Sequence, residues 1–156
     1  MEQLNLPAYD YELRNHNGRI VILDSIRKRF VTLTPEEWVR QHFVQYMMSH
    51  LNVPRGLIDI EVSIPIRERQ YRADIVVYNR QVVPILVVEC KRSSVQLGQG
   101  VFNQVGYYNL GLKVPYLVVT NGMQHYCCQV DQSLQSYHFL DQIPSFETMI
   151  VSIENE

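Results

Sequence analysis

Cysteine is scarce in this chain, and what there is lacks the spacing of a metal site. Cys90, Cys127 and Cys128 are an odd set of three in 156 residues, with no paired C-x-x-C motif. Structural zinc therefore has no support, and the three read as reduced thiols, with the adjacent Cys127 and Cys128 on opposite faces of a strand. Long hydrophobic runs are absent too: the apolar stretches have strand length, against the about 20 residues of a membrane-spanning helix. Met1-Glu2-Gln3-Leu4 has no basic start leading into an apolar run, so no signal peptide is expected. Those absences point to the cytoplasm, with no membrane partner. An excess of positive charge is missing as well. The formal net charge is −2, so any nucleic-acid binding must come from a local basic patch. There is no phosphate-binding Gly-rich loop, G-x-S-x-G elbow, internal repeat or low-complexity tract. Nucleotide hydrolysis and serine-hydrolase chemistry are thereby left without support. What is present, 46% hydrophobic and 19% charged residues, is the composition of a soluble globular chain. The length suits one domain over residues 1–156 with a single substantial core.

The chemistry concentrates between Arg72 and Tyr108. Arg72-Ala73-Asp74-Ile75-Val76-Val77-Tyr78 and Pro84-Ile85-Leu86-Val87-Val88-Glu89-Cys90-Lys91 are short β-branched runs separated by Asn79-Arg80-Gln81. They read as neighbouring strands of a hairpin. With the loop centred between Gln81 and Val82, Tyr78 faces Ile85, Val76 faces Val87 and Asp74 faces Glu89. Residues two apart share a face, so Lys91 joins Glu89. Opposed Cβ atoms lie about 4.5–5.5 Å apart. Two carboxylates and an ammonium thus converge at one end of a face otherwise made by Val76, Tyr78, Ile85 and Val87. Ionised carboxylates this close repel, and one pKa rises unless a cation sits between them. Mg²⁺ is a hard ion that takes oxygen ligands, and a lysine beside it can orient or deprotonate an attacking water. A structural Asp74–Lys91 or Glu89–Lys91 ion pair fits the same spacing, so D-x₁₄-E-x-K alone does not decide.

Earlier in the chain, residues 1–10 read as a lead-in. Tyr11-Glu12-Leu13 and Ile20-Val21-Ile22-Leu23 flank the turn signal Asn15-His16-Asn17-Gly18. The basic run from Ser25 to Phe30 fits a solvated loop or a phosphate-contacting patch equally. Thr34-Pro35-Glu36-Glu37 opens a helix expected to reach about Leu51, with Thr34 as N-cap and Glu37 closing a capping box. Val39, Phe43, Tyr46, Met47 and His50 form one stripe of it; Glu37, Gln41, Val44 and Met48 form the next. Trp38 reads as a core or boundary residue, His42 and His50 as surface or boundary. Ile58, Ile60, Val62, Ile64 and Ile66 alternate with polar residues along a half-buried strand, which Pro65 places at a sheet edge or strand end. Arg67 to Arg72 reads as a charged turn, in which Arg69 and Arg72 are candidates to hold a phosphate backbone.

Beyond Lys91, Arg92 is a further such candidate. A helix is expected from about Val101 to Leu112, with Val101, Gln104, Val105, Tyr108 and Leu112 on one face. Gln104 is the polar member and must find a backbone or ligand partner. Pro115 to Thr120 reads as a buried strand, Asn121-Gly122 as a hairpin turn and Gln124 to Val130 as the returning strand. A right-handed crossover would set the strand after Gly111 parallel to that of Glu89. Leu134, Tyr137, Phe139 and Leu140 are expected to form a short irregular cap, and Phe146 to Val151 a last helix.

Five passages occur in a telling order: Thr34-Pro35-Glu36-Glu37-Trp38-Val39-Arg40-Gln41, Arg72-Ala73-Asp74-Ile75-Val76, Val88-Glu89-Cys90-Lys91, Gln104-Val105-Gly106-Tyr107-Tyr108 and Thr120-Asn121-Gly122 with the strand before it. Together they resemble the PD-(D/E)XK nucleases, and more closely the N-terminal nuclease domain of type I restriction enzyme R subunits and its stand-alone relatives. The similarity covers residues 30–130. It implies an α/β, restriction-endonuclease-like core with a central mixed β-sheet flanked by helices, to which an N-terminal hairpin and a C-terminal cap are added. It implies that Asp74 and Glu89 bind Mg²⁺, Mn²⁺ substituting, with the Cys90 carbonyl as a third protein ligand. Lys91 then positions or activates the hydrolytic water, while Gln104 and Tyr108 match a Q-x-x-x-Y motif that supports DNA handling. Glu37 is the candidate first-helix acid, with Glu36 and Gln41 as alternatives. Ala73 stands where the family often has proline, a mild departure because that residue is no ligand. The sequence shows no helicase motor. The expected activity is Mg²⁺-dependent hydrolysis of DNA phosphodiesters without translocation, with restriction-system or helicase subunits as partners and a homodimer as one route to cutting both strands. The rival is a nuclease fold kept as a non-catalytic DNA-binding or protein-interaction module; RNA as substrate stays open.

Overall fold

Asn17 and Gly18 both take positive φ, 52° and 82°, the mirror-image turn that matches the twist of paired strands. They join β1 (Leu13–His16) to β2 (Arg19–Asp24), and β3 (Arg29–Thr32) pairs antiparallel with β2 to complete a three-stranded sheet. The basic run thus divides into a turn, residues 25–28, and the start of a strand. The computed structural model describes residues 1–133 and 136–154, residue 108 by its backbone alone.

Thr34 caps α1 (Pro35–Ser49), its Oγ1 accepting the Glu37 N–H at 3.0 Å. The reciprocal half of the expected capping box is replaced, because the Glu37 carboxylate turns to two arginines. Val39, Phe43 and Met47 make the buried stripe, and His50 is exposed. His42 departs from expectation. It is buried, its Nδ1 lies 2.9 Å from the Trp38 carbonyl oxygen, and its ring packs edge-on to Trp38 and Tyr9. The cause is the lead-in, which covers this side of α1: Trp38 Nε1 donates to the Glu2 carbonyl at 2.8 Å, and Leu4 is buried against Gly122.

The second sheet has the spatial order β4 (Ile58–Ile66), β5 (Arg69–Tyr78), β6 (Pro84–Cys90), β7 (Tyr116–Thr120), β8 (His125–Asp131) and β9 (Ser136–Leu140). Neighbours are antiparallel except β6 and β7, which run parallel across the intervening α2 (Gln99–Leu112). β4 lies at an edge, where Pro65 costs no ladder bond. Val76 pairs with Val87 as expected, but a bulge sets Tyr78 opposite Pro84, not Ile85, and Ile85 packs on the other face. The loop imposes this, for the Asn79 side chain accepts N–H bonds from Gln81 and Val83, and Val82 takes φ 63°. Two other expectations give way. Residues 69–72 belong to β5, because Arg67 and Glu68 alone make the turn. Tyr137, Phe139 and Leu140 form β9 in place of a cap; Leu134 lies outside the described residues.

Alternation divides the apolar side chains between two cores. Ile75, Val77, Val88, Val118 and Cys127 meet α1 and α3 (Phe146–Glu154), whereas Val76, Val87, Leu117, Val119 and Cys128 meet α2. β4 and β5 change face together at Glu61 and Asp74, the pair skipped by their ladder. Ile60 and Ile75 lie in the first core, Ile64 and Ala73 in the second, and Glu61 takes φ 52°. Asp74 is thereby set where α1 can reach it. On the other side, Gly111 lets α2 rest on β4: a Cβ there would lie 2.8 Å from Ile64 Cγ2 and 3.0 Å from Ile66 Cγ1. Gly111→Ala gains about 1 kcal/mol of helix propensity against an overpacking cost of about 1–3 kcal/mol. A net loss is expected, read as a lower urea midpoint at unchanged slope. Among the described residues no helix is long and apolar enough to cross a membrane.

Candidate active site

β6 carries the acid as its penultimate residue, and β7 anchors the lysine two residues on. Glu89 is buried, and the Lys91 N–H donates to the Thr120 carbonyl at 2.8 Å, which ties the lysine backbone to the neighbouring parallel strand. Lys91 Nζ lies 3.2 Å from Glu89 Oε1 and 3.2 Å from Gln104 Oε1, while Gln104 Nε2 donates to the same Glu89 oxygen at 3.1 Å. The inward amide of α2 thus bridges the ammonium and the carboxylate. Asp74, also buried, accepts the Cys90 N–H on Oδ2 at 2.7 Å and Arg40 Nη1 on Oδ1 at 3.0 Å. The convergence of Asp74, Glu89 and Lys91 read from the hairpin is therefore present.

Burial, reinforced by the charge of Asp74, pushes the Glu89 carboxyl up to about 8. Asp74 is also raised by burial, against the opposing bonds from Cys90 and Arg40. Glu89 Oε2 is buried without a hydrogen-bond partner among the described residues. An orphaned oxygen beside a second buried carboxylate is an all-oxygen donor set, which fits a hard divalent ion. Among the described residues no group of three or more His, Cys, Asp or Glu converges at ligand spacing. Two carboxylates with water filling the other positions is the usual provision for Mg²⁺. The shift has a sign that can be measured. Glu89 binds its proton more tightly folded than unfolded, so its contribution to stability is present below its ordinary value of 4.5 and is lost as the pH rises to about 8. In metal-free buffer the thermal midpoint is expected to fall across that window, and Glu89→Gln to flatten the slope.

Arg40, Arg27 and Glu61 join the site unannounced. Arg40 Nη2 pairs with Glu37 Oε2 and lies 3.5 Å from Glu61 Oε1. Arg27 Nε meets Asp24 Oδ2 at 2.6 Å, its Nη2 meets Glu37 Oε1 at 2.5 Å and its Nη1 meets Glu61 Oε2 at 3.1 Å. Gln41 Nε2 donates to Asp24 Oδ2 at 3.0 Å and to Glu37 Oε1 at 3.1 Å. The only sequence signal was the position of Arg40, between Glu37 and Gln41 on the inward side of α1. Glu37 is thus held by Arg27 and Arg40, and Gln41 is held by Asp24 and Glu37. Glu36 lines a cleft of about 690 Å³ together with Arg40, Glu61, Lys91 and Arg92. Burial and then the Asp74 charge raise the Glu36 carboxyl.

The remaining candidates divide. Arg92 is exposed on the cleft wall. Arg72 is exposed with Nη1 3.9 Å from Glu61 Oε2, and exposed Arg69 lies near the Tyr71–Tyr107 ring pair, apart from the cleft lining. Cys90 gives its N–H to Asp74, while burial pushes its thiol well above its ordinary value. The backbone of residue 108 lies in α2, one turn beyond Gln104; the Tyr108 side chain is outside the described residues.

Comparison with known proteins bears on what this arrangement is. The family model described as the type I restriction enzyme R protein N terminus matches residues 35–144. Among solved structures, the chain is similar to the fragment structure of a putative HsdR subunit of a type I restriction enzyme from Vibrio vulnificus YJ016. The TM-score is 0.59 at 21% identity, covering 79% of this chain and 26% of that one. It thus spans about a quarter of that protein's length and shares its fold. The type IIG restriction endonuclease BpuSI also aligns, with TM-score 0.45 and 16% identity over 75% of this chain and 15% of that chain. No curated protein matches. With the family match running from the first helical residue through β9, the chain belongs to the family of type I restriction enzyme R protein N-terminal regions.

Proposed function

We propose that this site hydrolyses DNA phosphodiesters with Mg²⁺. The observation that carries the reading is the Lys91 ammonium 3.2 Å from Glu89 and bridged to it by Gln104, beside the second buried carboxylate of Asp74. Asp74 and Glu89 would hold the ion, with the Cys90 carbonyl as a third ligand and Mn²⁺ as a substitute. Bound there, the ion supplies Lewis-acid polarisation of the phosphate and a lowered pKa for its water. The Lys91 ammonium orients the attacking water and stabilises developing negative charge. Gln104 fixes the position of the Lys91 Nζ. Arg92 on the cleft wall and Arg72 at its rim contact the phosphate backbone, and Tyr108 supports DNA handling. Both first-helix acids line the cleft, and Glu36, exposed where Glu37 is buried against Arg27 and Arg40, is the better placed to approach the ion or its water.

A non-catalytic DNA-binding or protein-interaction module is the second reading. It is favoured by the net charge of −2, which argues for weak DNA affinity of this chain on its own. Incubation of the purified chain with supercoiled plasmid, in Mg²⁺ and in chelator, separates the two. Nicking that needs the metal supports hydrolysis. Without nicking, a metal-dependent rise in thermal stability that Asp74→Asn abolishes would mark a competent site needing a restriction-system subunit. The absence of both would leave the binding module.

A further inference from the structure

We propose that Arg40 is a positioning residue for the Asp74 carboxylate, holding it in the orientation in which it shares a divalent ion with Glu89. The inference rests on the metal-binding reading above. Arg40 is buried, and its planar fork divides between two tasks: Nη1 meets Asp74 Oδ1 at 3.0 Å, while Nη2 is held by Glu37 and Glu61. The guanidinium is rigid, so anchoring one terminal nitrogen fixes the other. The anchor is itself braced, because Glu37 also accepts from Arg27 and Gln41.

Asp74 is gripped on different oxygens from two layers, by α1 through Arg40 and by β6 through the Cys90 N–H at 2.7 Å. Rotation of the carboxyl group would break both bonds, yet each oxygen keeps a lone pair for a ligand. Arg40 Nε is buried without a partner among the described residues. An arginine present only for stability would not be expected to leave that donor unpaired in the interior. Lysine would supply the same charge but not the fork, so charge neutralisation and positioning make different predictions.

Calorimetric titration of the metal-free chain with Mn²⁺ tests the assignment, using Arg40→Lys, Arg40→Met and the double variant Arg40→Met/Glu37→Gln. The double variant also removes the carboxylate charge that Arg40 neutralises at Glu37, and serves as the second sample if Arg40→Met alone unfolds. Circular dichroism establishes which variants are folded. Partners that orient a ligating carboxylate typically account for about 10–100-fold in metal affinity. Each folded variant, Arg40→Lys included, is expected to bind Mn²⁺ that much more weakly than the parent chain. Parent-like affinity in Arg40→Lys or in the double variant would overturn the assignment while leaving the metal site standing. Absence of Asp74-dependent Mn²⁺ binding in the parent chain would remove the metal-binding reading and this inference with it.

Discussion

Lys91→Ala protein is expected to nick supercoiled plasmid in Mg²⁺ at least about 100-fold more slowly than the parent chain, since a positioned acid or base typically contributes about 10²–10⁴-fold. The fold should survive the change. The Lys91 backbone is held by Thr120 independently of its side chain, and that side chain sits at the open end of the site, 23% exposed. Loss of rate without loss of thermal midpoint is therefore the informative combination. Asp74→Ala and Glu89→Ala are expected to abolish cleavage as well, and they should also remove the metal-linked rise in stability that Lys91→Ala retains. Full activity in any of the three would sink the assignment of this site as the hydrolytic centre.

Glu37→Ala is expected to cost stability on a quite different scale from its neighbour. The Glu37 carboxylate accepts from Arg27, Arg40 and Gln41 in the interior, so its removal takes the shared carboxylate from two guanidinium groups. Arg27 is left with Asp24 and Glu61, and Arg40 with Asp74 and Glu61. Breaking a buried ion pair by deleting one partner costs about 3–5 kcal/mol. For a domain of this size each kcal/mol moves the melting temperature by about 2–4 °C, so a fall of roughly 10 °C is expected. Glu36→Ala removes an acid from the cleft wall and should leave the melting temperature within about 2 °C of the parent. Equal, small shifts in both variants would mean that the arginine network does not hold α1 to the sheets.

The two outcomes differ because adjacent residues on α1 serve different surroundings, and only part of that was legible in the sequence. Asp74, Glu89 and Lys91 could be brought together from the sequence because the two-residue period of paired strands is a local rule, and Val76 does pair with Val87. Gln104 was legible for a similar reason, as a polar residue on an apolar helix face. Arg27 and Glu61 were not. Arg27 sits in a basic run that fits a solvated loop or a phosphate-contacting patch equally, and Glu61 lies on the polar side of an alternating strand. Their burial depends on the crossing of β2, α1 and β4, which no local pattern encodes. His42 was missed because its cover comes from residues 1–10. β9 was missed because its residues are almost all exposed, so the alternation of Tyr137 and Phe139 with Ser136 and His138 marks no buried face.

The turn between β2 and β3 carries a consequence for any dissection of the chain. Asp24 and Arg27 precede the segment that matches the family, and Phe146, Met149 and Ile150 lie beyond it. Yet Arg27 braces Glu37, and the three apolar residues of α3 fill the core beneath α1 along with Leu4 and Ile22. The borders of recognisable kinship and the borders of self-sufficient folding therefore fall in different places. A recombinant piece trimmed to residues 35–144 would leave Glu37 without its Arg27 brace and one face of α1 bare. Such a piece would behave as half of a split protein, awaiting complementation by the N-terminal and C-terminal peptides supplied in trans.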